Sequence, residues 1–142
     1  MDTFTATKST TINATPEKIW EALTAPEIVE QYMFGADVVS DWQKGSPLIY
    51  KGEWEGKPYE DKGTILDIEP NKLLKTTYFS ALGGLEDKPE NYNTVTYELT
   101  SEAEGQTKLT VMQDNNPSQE AADKATENWG MTLNTIKELL EK

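Results

Sequence analysis

NPSQEAADKATENWGMTLNTIKELL, residues 116–140, is the stretch on which the fold turns. Asn116, Pro117 and Gln119 read as an N-cap, a first-turn proline and a capping-box-like partner three residues on. Beyond them Ala122, Ala125, Trp129, Leu133, Ile136 and Leu140 recur at three- and four-residue steps, one apolar stripe along a helix. Gly130 interrupts the run at a local cost of ~1 kcal/mol relative to alanine. About 24 helical residues at ~1.5 Å each span ~36 Å. Six or seven strands at ~4.8 Å span ~29–34 Å. One long helix can therefore lie across a whole sheet.

Upstream, the sequence supplies the strands for that sheet. Phe4 to Ile12 is rich in threonine and reads as extended. Thr15-Pro16-Glu17 is a helix start, and Ile19, Trp20 and Leu23 follow at helical spacing to about Thr24. Ala25-Pro26-Glu27 restarts the pattern, so Ile28, Val29 and Tyr32 predict a second short helix, broken near Gly35. From Ala36 the period changes to two. Between Ser46 and Trp54, the residues Leu48, Tyr50, Gly52 and Trp54 share one face. Glu55-Gly56-Lys57-Pro58 reads as a turn, and strands follow from about Tyr59 to Ile68 and from Leu73 to Phe79. After a loop over 80–93, Val95, Tyr97 and Leu99 alternate with polar neighbours, as do Leu109, Val111 and Gln113. Short consecutive strands and one long helix predict an α+β antiparallel meander.

Composition narrows the chemistry. The chain has 142 residues, the size of one domain, and we expect a single domain over 1–142. There is no cysteine or histidine, and all 13 basic residues are lysines. Disulfides, thiol nucleophiles, imidazole catalysis and arginine clamps are excluded. The formal net charge of −12 disfavours nucleic acid and anionic membrane surfaces. Neither a secretory signal nor a membrane-spanning run is present in the sequence, so a cytoplasmic location without membrane insertion is expected. Asn13-Ala14-Thr15 matches a glycosylation sequon but lacks that context. No cofactor or metal site is predicted. Asp114-Asn115-Asn116 lacks the glycine and terminal glutamate of a calcium loop, and is read as ending a strand and capping a helix.

Three segments together resemble a known family. Thr15-Pro16-Glu17-Lys18-Ile19-Trp20-Glu21-Ala22-Leu23-Thr24 with Pro26-Glu27 is similar to the opening of AHSA1-like (activator of Hsp90 ATPase homologue) proteins of the SRPBCC/START-like superfamily. Gly63-Thr64-Ile65-Leu66-Asp67-Ile68-Glu69-Pro70, leading through Leu73 and Leu74 to Thr77-Tyr78, resembles their central hairpin. Asn128-Trp129-Gly130-Met131 through Leu139-Leu140 resembles their closing helix. The resemblance implies a helix-grip (START/Bet v 1-like) fold. In it a curved antiparallel sheet of six or seven strands wraps on the C-terminal helix, with two short helices after the first strand. It also implies a hydrophobic cavity between sheet and helix, which superfamily members use for lipids, hormones or polyketides, some of them as cyclases or hydrolases.

On that frame the candidate ligand-binding residues are Tyr32, Phe34, Tyr50, Trp54, Tyr78, Tyr97, Gln113, Trp129 and Leu133. The aromatic set combines apolar bodies with hydroxyl or indole donors, and it equally suits a packed core. Gln113 either meets a ligand or sits at the exposed end of its strand. Tyr32, Met33 and Phe34 either form a lip over the cavity or fasten the second helix to the sheet. Trp20 reads as core. The carboxylates are ungrouped: Glu53 and Glu55 face away from Trp54, while Glu60-Asp61 and Glu86-Asp87 read as solvated turns. No pair shows the contrasting environments of an acid and a base.

Three functions follow in order. The first is a monomeric binding protein for a small hydrophobic or amphipathic molecule. The second is a cyclase, dehydratase or hydrolase working with Asp, Glu, Tyr or Lys in the same cavity. The third, a chaperone-associated interaction protein, rests on the family resemblance alone. The family's namesakes carry an additional N-terminal domain with no counterpart in these residues.

Overall fold

The computed structural model describes residues 4–32, 36–54, 56–80, 86, 88, 91–116 and 118–141. Strand β1 (Phe4–Ile12) leads into helices α1 (Pro16–Thr24) and α2 (Pro26–Tyr32). Six strands follow: β2 (Asp37–Ser40), β3 (Pro47–Trp54), β4 (Lys57–Glu69), β5 (Leu73–Ser80), β6 (Asn93–Ala103) and β7 (Gln106–Asn116). Helix α3 (Gln119–Leu140) closes the chain. The seven strands form one antiparallel sheet in the order β1-β7-β6-β5-β4-β3-β2. Turns of two or three residues join β3 to β4, β4 to β5 and β6 to β7. The long connection from β1 through the two short helices carries the chain from one edge of the sheet to the other.

Local chemistry explains the ends of these elements. Thr15 caps α1, its hydroxyl accepting from Lys18 N, with Pro16 in the first turn. The β3–β4 reversal is tighter than the four-residue turn expected from sequence. Trp54 pairs with Lys57, and Gly56 takes φ +81°, which a side chain would resist. The cap of α3 also differs from expectation. Ser118, not Asn116, accepts from Ala121 N, at 3.1 Å. Asn116 ends β7 and is buried, where its amide donates to Phe4 O and Gln113 O. An asparagine with two backbone acceptors in reach is worth more to the sheet than to the helix.

The apolar residues form two clusters. The first joins α1, α3, β1, β6 and β7 around Ile12, Ile19, Leu109, Val111, Leu133 and Ile136. The second joins α2, β2, β3, β4 and β5 around Val29, Val38, Leu48, Ile65 and Leu74. Trp20, Tyr32, Tyr78 and Tyr97 pack against both. Helix α3 does not press evenly on the full width of the sheet: it packs chiefly on β1 and then β7. Gly130 is the close approach, since a Cβ there would lie 3.3 Å from Lys8 Cε of β1. Among the described residues no helix is long and apolar enough to cross a membrane.

Candidate functional site

A cavity of about 230 Å³ opens at the seam between the two clusters. Its walls come from five elements. Tyr50 of β3, Thr76 and Tyr78 of β5, Val95 and Tyr97 of β6 and Gln113 of β7 supply the sheet side. Ala125, Asn128, Trp129 and Thr132 supply the helix side. Strand alternation explains the sheet set: Val95, Tyr97 and Gln113 stand on the face turned to α3, and Val95 and Gln113 are cross-strand partners. Three- and four-residue steps on α3 explain the helix set. A wider depression over Lys8, Asp123, Gly130 and Met131 lies along the far flank of α3 and is bordered by exposed charged side chains.

Polar groups in the cavity are neutral and partly committed. Trp129 Nε1 donates to Gln113 Oε1 at 2.9 Å, and Gln113 Nε2 donates to Asn116 Oδ1 at 2.9 Å. The Gln113 amide is thus half-buried and paired at both atoms. Tyr97 and Trp129 meet edge to face, with ring centroids 5.8 Å apart. Burial pushes the phenols of Tyr50 and Tyr97 far above the ordinary tyrosine range. The charge of Asp61 adds to the rise at Tyr50, and neighbouring phenols add to it at Tyr97.

Behind the wall stands a carboxylate that the sequence had been read as exposing. Asp61 is not in a solvated turn. It lies within β4, opposite Tyr50 in the ladder, and only 8% of it is exposed. Tyr78 Oη donates to its Oδ2 at 2.7 Å, while its Oδ1 is buried without a partner among the described residues. Sequence reasoning missed it because Glu60-Asp61 looks like a charged pair. The strand runs unbroken through Glu60 and Asp61 instead of turning there, and alternation then puts Asp61 on the same face as Gly63 and buried Ile65.

Of the predicted site residues, Tyr50, Tyr78, Tyr97, Gln113 and Trp129 are brought together around the cavity. Tyr32 ends α2, and its hydroxyl reaches back to donate to Ala22 O of α1 at 2.8 Å. Leu133 is buried in the first cluster. Phe34, with Met33, and the side chain of Trp54 lie outside the described residues. Thr76, Ala125, Asn128 and Thr132 line the cavity without having been singled out. Ala125 belongs to the apolar stripe one helical step from Trp129, while Asn128 and Thr132 flank it. Among the described residues no group of three or more carboxylates is arranged to hold a metal ion.

Comparison with known proteins agrees with the fold. The family model for activator of Hsp90 ATPase homolog 1-like proteins matches residues 13–141. No curated protein matches the chain. Among solved structures, a protein of Cytophaga hutchinsonii is 46% identical, with 99% of this chain and 97% of that one covered at a TM-score of 0.87. An HSP90 activator from Plasmodium falciparum is 20% identical, covering 97% and 96% at 0.75. The Aha1 dimer from Colwellia psychrerythraea is 21% identical, covering 96% of each chain at 0.73. These last two show the shared fold.

Proposed function

This chain belongs to the activator of Hsp90 ATPase homolog 1-like family, and we propose that it is a binding protein for a small hydrophobic or amphipathic molecule held between the sheet and α3. The observation that carries the reading is the cavity itself, walled by three tyrosines and Trp129. Apolar surface with a few oriented polar groups is the usual make-up of a ligand pocket. Its volume of about 230 Å³ favours a one- or two-ring aromatic molecule over a long acyl chain. Pockets for drug-sized ligands run to roughly 300–1,000 Å³.

The test is a thermal-shift panel of aromatic metabolites and lipids against the wild type and Ala125→Leu. Leucine at that helical position fills the cavity from the α3 side. Saturable stabilisation of the wild type, lost in Ala125→Leu, supports the reading. A panel that stabilises neither protein, or both equally, contradicts it.

One observation favours a second reading. A phenol hydrogen-bonded to a buried carboxylate, as Tyr78 is to Asp61, is a group that can relay a proton. A cyclase or dehydratase would use Tyr78 in that role. Substrate turnover retained in Tyr78→Phe would remove it. A chaperone-associated role draws only on the fold shared with the Plasmodium falciparum HSP90 activator. A pulldown that enriches no chaperone would leave it without support.

A further inference from the structure

We infer that the cavity selects its ligand by charge, taking neutral or cationic aromatic molecules and rejecting carboxylates, with Asp61 acting through Tyr78 as the positioning residue. This rests on the reading of the cavity as a binding site.

The argument begins with what the walls lack. Among the described residues no lysine lines the cavity, and the chain contains no arginine or histidine. An anionic ligand would leave water and find no cation to meet it, which is the costliest way to bury a charge. The phenols cannot soften that cost by ionisation, and in any case phenolates would add negative charge. A carboxylate ligand would also stand one phenol away from Asp61, since Tyr78 both lines the cavity and donates to Asp61 Oδ2 at 2.7 Å. Like charges at such separations oppose each other strongly where water is excluded.

What the walls offer points the same way. The Tyr78 hydroxyl donates its hydrogen bond to Asp61, so toward a ligand its oxygen is an acceptor. The carbonyl of Gln113 is engaged by Trp129. The faces of Tyr50, Tyr97 and Trp129 attract a positive group through their ring quadrupoles. The negative charge of Asp61, with one oxygen unmatched among the described residues, favours a donor or a cation nearby. An aromatic amine, alcohol or amide satisfies these surroundings; a fatty acid or an aryl carboxylate does not.

The experiment uses naphthalene bearing an aminomethyl, a hydroxymethyl or a carboxylate group, titrated at neutral pH. The readouts are the Trp129 indole and Gln113 side-chain amide signals. The first two probes should bind at least about tenfold more tightly than the third. Asp61→Asn keeps an acceptor for Tyr78 but removes the charge, and should narrow the gap between the carboxylate and the other two probes, leaving the part that comes from the lack of a wall cation. Should that variant not fold, Tyr78→Phe is expected to weaken the hydroxymethyl probe more than the carboxylate. A carboxylate that binds as well as the others overturns the charge selectivity while leaving the binding reading intact. An unchanged affinity ratio in folded Asp61→Asn overturns the role of Asp61. Binding of none of the three overturns the binding reading and this inference with it.

Discussion

Trp129 Nε1 donates to Gln113 Oε1 at 2.9 Å, and this bond ties the middle of α3 to the inner face of β7 beside the cavity. A second contact at that point is the edge-to-face packing of Trp129 on Tyr97 of β6. Trp129→Phe keeps most of the ring and removes the donor. The Gln113 carbonyl is then left half-buried and unpaired, at a cost of about 1–3 kcal/mol in equilibrium urea denaturation. Gln113→Leu should cost a similar amount. The double variant should lose less than the sum, by about 1 kcal/mol. Strictly additive losses would mean that the bond carries no energy of its own.

The two polar residues at the β7–α3 junction should separate cleanly by substitution. Ser118→Ala removes only the helix cap and should cost about 1 kcal/mol. Asn116→Ala removes two backbone anchors and the partner of Gln113 Nε2. Three bonds at about 1 kcal/mol each give roughly 3 kcal/mol. Denaturant midpoints compared at equal m-value test the order.

Two glycines predict opposite outcomes. A Cβ on Gly63 would fall within 1.8 Å of Thr77 O, a backbone atom of the neighbouring strand. Gly63→Ala must push two strands apart, and a loss of about 3 kcal/mol or more is expected. A Cβ on Gly130 would meet Lys8 Cε at 3.3 Å, the far end of a flexible side chain. Gly130→Ala should instead gain up to about 1 kcal/mol from helix propensity. Thermal melts of the two variants should move in opposite directions.

Burial raises the phenol pKa values of Tyr32 and Tyr97 well above the ordinary 10.0, and raises that of Tyr50 as well. A raised pKa means that the folded state holds its proton more tightly than the unfolded state does. The stability these groups contribute is therefore complete below about pH 10 and is lost as pH rises above it. Of the six tyrosines, these three should form phenolate only together with the loss of far-ultraviolet circular dichroism. Full phenolate absorbance in a protein still folded near pH 11 would contradict their burial.

The order of elements was legible because each is marked by local chemistry. Thr15-Pro16 starts a helix, period-two alternation marks Leu48 to Tyr50 and Val95 to Leu99, and the stripe from Ala122 to Leu140 marks the closing helix. Tyr50, Tyr97, Gln113 and Trp129 converge because their alternation phases could be read from neighbours that must be buried. Asp61 was not legible. Its inward direction follows only when β4 is taken to run straight through Glu60 and Asp61 in phase with Ile65, and the paired charges argued instead for a solvated turn. The cap at Ser118 was hidden for a related reason. Asn116 stands directly before Pro117 and so reads as the N-cap, and only the sheet register reveals that Phe4 and Gln113 claim it first.

The most direct measurement is a two-dimensional amide titration of the wild-type protein with hydroxymethylnaphthalene. The account predicts saturable shifts at Val95, Tyr97, Gln113, Trp129 and Thr132, which line the cavity. It predicts little change at Ile12, Leu109 and Ile136, which are packed in the first cluster. No saturable shift at the lining residues, or shifts scattered over exposed positions such as Val39 and Met131, would contradict a ligand-binding cavity in this protein.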